Sequence, residues 1–219
     1  MNPPIGIYGG TFDPIHYGHL RPCLELCESL KLDHVRFIPA FLPPHRDNPA
    51  TEVVHRLEMV AKAIESEALF VLDEREIQRG GPSYMVDTLK SLRQDFPDNP
   101  LCLLMGMDAF SGIESWSHWQ ELLDYAHIIV TQRPDTDFHA LDLWSDSLNQ
   151  FYQKYKSQNN NTSSQNIHNS LHGLIQLESV TQLSISATDI RKRIKNSQSI
   201  RFLTPEPVIK LIECYNLYK

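Results

Sequence analysis

Long apolar runs are missing from this 219-residue chain. None approaches the roughly 20 residues of a membrane helix, so no helical span is expected. Met1-Asn2-Pro3-Pro4 also lacks a basic segment leading into an apolar core, and a soluble cytoplasmic protein is expected. Cysteine is scarce: Cys23, Cys27, Cys102 and Cys214 include no C-x-x-C pair, and the first two fall four apart on a predicted helix. Reduced core or near-surface thiols follow. There is no excess of positive charge. At a formal net charge of −7 the chain has no general attraction for nucleic acid or an anionic membrane, so an anionic substrate has to be held by a local cluster. Neither an internal repeat nor a His-Glu-x-x-His array occurs. Asn160 and Asn161 match a glycosylation signal that would matter only in a secreted protein. The length fits one domain with a sizeable core. It does not fix the oligomeric state, and a homo-oligomer is compatible with it.

What the chain has is alternation. Apolar runs suited to strands, Ile5–Tyr8, Val35–Pro39, Leu69–Leu72, Leu101–Met105, Ile128–Thr131 and Leu174–Leu177, are separated by stretches with helical periodicity. Helices are predicted at Gly18–Leu30, Glu52–Ile64, Tyr84–Asp95 and His118–Tyr125, with Thr51, Ser83 and Ser117 as caps. The pattern is that of an α/β protein with a mainly parallel sheet, whose ligands bind at the carboxyl edge of the strands. Phe138–Tyr155 allows a further helix. Lys156–His172, rich in Asn, Ser and Gln, reads as a polar surface insertion. Ser186 with Asp189 fits a capping box, which places Thr188 in the first turn of a helix and makes a second candidate anion site. Thr204-Pro205-Glu206-Pro207 introduces a last helix.

The densest signal is Gly9-Gly10-Thr11-Phe12-Asp13-Pro14-Ile15-His16-Tyr17-Gly18-His19, at the handover from the first strand to the first helix. Glycine lets a ligand approach the backbone, and a helix start offers free N–H groups to an anion. His16 and His19, three apart, can flank one phosphate and donate to oxygens that gain charge as a phosphoryl bond rearranges. Zinc held by Asp13, His16 and His19 is the rival reading. It explains less, because the cluster lacks a Cys pair and a glycine-turn phosphate site accounts for the same residues without requiring a distant ligand.

With these residues in place the chain resembles the nucleotidyltransferase superfamily of Rossmann-like, doubly wound α/β folds, through His16-x-Gly18-His19. It is similar over nearly its whole length to the nicotinate-nucleotide adenylyltransferase family, through Pro43-Pro44-His45-Arg46, Gly81-Pro82-Ser83-Tyr84, Asp87-Thr88-Leu89, Gly106-Met107-Asp108-Ala109, Trp116 with Trp119, and Ile185-Ser186-Ala187-Thr188-Asp189-Ile190-Arg191. Two positions depart from the family pattern: Arg46 stands where lysine is common and Ala187 where a second serine is common. Arginine keeps the cation but changes its geometry, and Ala187 still offers its amide.

The resemblance implies transfer of adenylate from ATP, accompanied by Mg2+, to nicotinate mononucleotide, with deamido-NAD and pyrophosphate as products. It assigns His16 and His19 to catalysis. Gly9, Gly10, Thr11, Phe12, Gly106, Asp108, Ser186, Thr188 and Arg191 join them in binding ATP, with Asp108 accepting from the ribose. His45 and Arg46 would reach the acceptor phosphate, Ser83, Tyr84, Met85 and Thr88 the pyridine carboxylate region, and Trp116 the pyridine face; no resident metal ligand is implied. Transferases acting on nicotinamide mononucleotide or other small acceptors are the nearest rivals, and a catalytically silent nucleotide-binding regulator is the rival of another class.

Overall fold

The six apolar runs become six parallel strands of a single sheet: β1 (Ile5–Gly10), β2 (His34–Pro39), β3 (Phe70–Leu72), β4 (Leu101–Gly106), β5 (His127–Gln132) and β6 (Ile175–Ser179). A computed structural model describes residues 2–43, 49–132, 144–157, 167–181 and 183–219. Strand order is β3-β2-β1-β4-β5-β6. From β1 the chain winds outward to β3, returns to β4 on the other side of β1, and winds outward again, so the winding reverses between β1 and β4.

Central strands are buried almost end to end, as in β4 and β5, because helices cover both faces. On one face lie α1 (Tyr17–Leu30), α2 (Val53–Ile64), α7 (Ala187–Lys195) and α8 (Glu206–Cys214). Leu26, Met59, Ile190 and Val208 pack there with Val35, Phe37, Cys102 and Leu104. The other face carries α4 (Met85–Asp95), α5 (Met107–Ser111) and α6 (Asp146–Tyr155), whose Leu89, Phe110 and Phe151 meet Ile5, Ile7, Leu101 and Leu103. Residues of one strand thus alternate between the two cores. A short α3 (Arg75–Arg79) follows β3. Among the described residues no helix is long and apolar enough to cross a membrane.

Several local expectations are corrected. His118–Tyr125 is not an α-helix: the second of two short 3-10 turns, Ile113–Ser115 and Trp119–Asp124, takes its place, with His118 in the left-handed region at φ 51°. The residues preceding α2, α4 and the second 3-10 turn are Glu52, Tyr84 and His118, none capping with its side chain. The hydroxyls expected there have other partners, since Thr51 Oγ1 donates to Asp13 and Ser83 Oγ accepts from Phe41 N–H. Ser186 does cap α7, accepting from Asp189 N–H at 3.1 Å. At the far end of the segment expected as a surface insertion, Ile167 is fully buried and His168 Nε2 bonds Leu30 O at 2.9 Å. That segment is therefore anchored at Ile167 and His168, while Asn169 and His172 are exposed. Cys23, Cys27 and Cys102 are buried thiols and Cys214 is exposed.

The amino-terminal edge of the sheet is tied by two side chains, one half-buried and one fully buried. Arg93 donates to the carbonyls of Phe96, Asn99, Tyr125 and Leu171. His127, fully buried, bonds Ser170 O through Nε2 at 2.9 Å and accepts from Leu174 N–H at Nδ1. Both ring nitrogens are satisfied only in the neutral form, and burial lowers its pKa from 6.5 to about 4. The unfolded chain therefore binds this proton at higher pH than the folded one, and stability falls as pH drops from 6.5 towards 4. In urea denaturation across that window His127→Gln should show a shallower loss of stability than the parent chain. Identical pH slopes would refute the assignment.

Candidate active site

Beyond Ile7 and Leu103 the ladder between β1 and β4 ends, although the strands run on to Gly10 and Gly106. The two strands part there, and a cleft of about 1220 Å3 opens between their carboxyl ends. This is where a doubly wound sheet places its ligand. Gly9, Gly10 and Thr11 form its floor with Gly106, and a Cβ on Gly10 would lie 2.8 Å from the Phe12 ring.

Phe12 turns the chain out of β1 in the left-handed region, φ 50°. Its ring is buried, edge-on to His19 at 5.3 Å, so a ligand in the cleft could meet its backbone and not its ring. His16 precedes α1 as the N-cap residue, and its N–H donates to His19 Nδ1 at 3.2 Å. That bond leaves the proton of neutral His19 on Nε2. The two imidazoles stack with centroids 3.6 Å apart and 25° between planes. Two adjacent cations would repel, and burial relieves this by holding His16 neutral, its pKa lowered to about 4. Its Nδ1 is buried without a hydrogen-bond partner. Gly18 makes the stack possible: a Cβ there would sit 2.9 Å from His16 Nδ1 and 3.2 Å from Ile185 O.

Across the cleft stands the start of α7. Ser186, Thr188 and Arg191 line the same space as His16 and His19. Arg191 is aimed by two bonds, Nη1 to Asp13 O at 2.6 Å and Nη2 to Thr188 Oγ1 at 3.3 Å. Asp108, exposed in the first turn of α5, lines the cleft near Gly106. A side pocket of about 300 Å3 continues from it, lined by Ser83, Tyr84, Met85 and Trp116. Ser83 and Tyr84 N–H groups bond Leu42 O and Pro82 O. The first-turn amides of α4 that are suited to an anion are thus those of Met85 and Val86. Trp119, by contrast, packs on Phe151 at 4.6 Å.

Thr88 is a correction among the expected site residues. It is fully buried, its Oγ1 donating to Glu76 Oε1 at 2.5 Å and accepting from Arg79, so its side chain cannot meet a ligand. His45 and Arg46 lie outside the described residues. Among those described, no group of three or more His, Cys, Asp or Glu could hold a metal ion. The Asp13 carboxylate, once weighed as a zinc ligand, accepts from Ala50 N–H, Thr51 Oγ1 and Tyr218 OH.

The sequence motifs do not single out Arg56 or Tyr218. Arg56 is fully buried and donates from Nη1 to Thr11 O at 2.7 Å. The signal for it was a cation on the apolar stripe of α2, in register with Met59, Val60 and Ile64. Tyr218 gave no comparable signal.

Residues 7–193 match the sequence model of the cytidylyltransferase-like family. A Methylococcus capsulatus protein named probable nicotinate-nucleotide adenylyltransferase is 43% identical over 98% of this chain and 99% of its own length. An Aeromonas hydrophila protein of the same name is 42% identical over 100% and 99%. Solved structures of the Plasmodium falciparum nicotinic acid mononucleotide adenylyltransferase share the fold. The complex with APC superposes with a TM-score of 0.69 and that with NaAD with 0.71, each at 20% identity over 99% of this chain and 98% of the other. The chain belongs to the nicotinate-nucleotide adenylyltransferase family, on a cytidylyltransferase-like Rossmann fold.

Proposed function

We propose that this protein transfers the adenylyl group of ATP to the phosphate of nicotinate mononucleotide, giving deamido-NAD and pyrophosphate by direct in-line attack. The observation that carries this reading is the stacked His16–His19 pair facing Ser186, Thr188 and Arg191 across one cleft, with a Trp116-lined pocket alongside.

An oxygen of the acceptor phosphate attacks the α-phosphorus while the bond to the β-phosphate oxygen breaks, so no enzyme nucleophile is needed. Catalysis then consists of holding two polyanions in line and receiving the charge that develops. Gly9–Thr11 let the triphosphate lie against backbone. His19, with its proton on Nε2, and neutral His16 donate to the α-phosphate, while Arg191 and the start of α7 take the departing pyrophosphate. Asp108 accepts from the adenosine ribose, and His45 and Arg46 are the proposed partners of the acceptor phosphate. ATP enters as its magnesium complex. An ion bound by phosphates and water requires no cage of carboxylates, in keeping with a donor set in which Asp13 is already committed. It lowers the charge repulsion between the phosphates.

Substrate choice follows from the side pocket. Trp116 offers a face to the pyridine ring, and the Met85 and Val86 amides offer an anion site to its carboxylate. An amide in that position forfeits the charge term.

A pyrophosphate-release assay tests the reaction. With ATP, kcat/KM should favour nicotinate over nicotinamide mononucleotide by about tenfold or more, the scale of an anion at a partly buried helix start; parity would sink the carboxylate argument. His19→Ala should lower kcat by about 10²–10³-fold with an unchanged far-UV circular dichroism spectrum, and full activity would remove His19 from the mechanism. Gly18→Ala, which pushes the His16 ring off its partner, should cost about tenfold or more in kcat. A fully active Gly18→Ala variant would show that the stack is dispensable.

A further inference from the structure

We propose that Tyr218 is a positioning residue for this reaction, acting through the buried Asp13 carboxylate to hold Arg191 and the His16 loop in working geometry. The inference rests on the function proposed above and extends it to a side chain well outside the recognisable motifs.

Asp13 is buried at the root of the loop that carries His16. Its Oδ1 accepts from Tyr218 OH at 2.6 Å and Thr51 Oγ1 at 2.5 Å, and its Oδ2 from Ala50 N–H at 2.7 Å. Its main-chain oxygen is the acceptor that aims Arg191. One residue therefore joins the phosphate-facing guanidinium to the Pro49–Ala50 wall of the cleft. The charge is balanced from beneath by buried Arg56, which is itself fixed to Thr11 O and Phe41 O.

The segment beyond α7 grips this loop at three points. Leu203 O accepts from Tyr17 N–H at 3.1 Å, Thr204 Oγ1 donates to Ile15 O at 2.7 Å, and Tyr218 closes the far side. Of the three, only the Tyr218 phenol reaches the carboxylate that organises the cleft wall. Burial and the neighbouring Asp13 push its pKa well above the ordinary range for tyrosine, so it stays a donor at every working pH. Without that bond the Asp13 side chain loses one of its three anchors, and the loop whose main-chain oxygen holds Arg191 loosens while the sheet stays intact.

Tyr218→Phe removes one hydroxyl and keeps the ring. By calorimetry its affinity for a non-hydrolysable ATP analogue should fall on the order of tenfold, the worth of a hydrogen bond to a charged group, and kcat with ATP and nicotinate mononucleotide should fall with it. Tyr215→Phe is the control, because Tyr215 bonds Glu58 on α2 and not the loop; its analogue affinity should match the parent's. Thr51→Val should reproduce the Tyr218→Phe defect and Thr51→Ser should restore parental affinity, which a loss of packing alone would not do. Parental analogue affinity in Tyr218→Phe, or an equal loss in Tyr215→Phe, overturns the proposal. The calorimetric readout needs no turnover, so a parent chain that binds the analogue but fails to release pyrophosphate would refute the reaction while still deciding the role of Tyr218.

Discussion

Past Ile7 and Leu103, β1 and β4 stop exchanging hydrogen bonds while each runs on for three more residues. Central strands elsewhere in the sheet bury their backbone groups against a neighbour, and here that neighbour is withdrawn where the two halves wind apart. The gap requires backbone that tolerates close approach, which Gly9, Gly10 and Gly106 supply. It also fixes what can face it, since the helices that follow these strands start at its rim. The His16 cap of α1 and Asp108 in the first turn of α5 follow from that one parting, and the Ser186 cap of α7, which follows β6, lines the opening from across it.

The electrostatics of the cleft follow from the same arrangement. A protein of net charge −7 has to receive two polyanions without a broad basic surface. It relies on a few directed groups: the dipoles of a neutral His16 stacked on His19 and of helix starts, and one guanidinium cation locked between Asp13 O and Thr188 Oγ1. Groups that are neutral before the substrate arrives and already oriented lose little to reorganisation when charge develops on the phosphates. Burial, by lowering the pKa of His16 to about 4, is what allows two imidazoles to share 3.6 Å.

The order of strands and helices could be read from the chain because each strand is an apolar run covered on both faces, and α1, α2 and α4 carry one-sided apolar stripes. Both helix starts that line the cleft were legible for the same local reason: His16-x-Gly18-His19 and Ser186-x-x-Asp189 each occupy a single helix start. What escaped depends on partners far along the chain. Thr51, Ser83 and Thr88 have the chemistry of caps or ligands, and only the fold shows their hydroxyls turned to Asp13, Phe41 N–H and Glu76. Trp119 and Trp116 look alike at a spacing of three, yet the turn between them, with His118 in the left-handed region, sends one to Phe151 and the other to the cleft. Asp13 and Tyr218 are 205 positions apart, and no periodicity carries that distance.

The buried Thr88 also bears on the proposal that the Trp116-lined pocket receives a pyridine carboxylate. Glu76, buried and lining that pocket, would repel a pyridine carboxylate if its charge faced inward unopposed. Instead Thr88 Oγ1 donates to its Oε1 and Arg79 stands 4.0 Å from the same oxygen, while burial pushes its pKa upward. Either effect weakens the repulsion: a paired carboxylate is partly neutralised and a protonated one carries no charge. In the proposed reaction the threonine expected to touch the substrate would act one layer behind it, quieting the residue that opposes a carboxylate, and would leave the Met85 and Val86 amides to meet the acceptor.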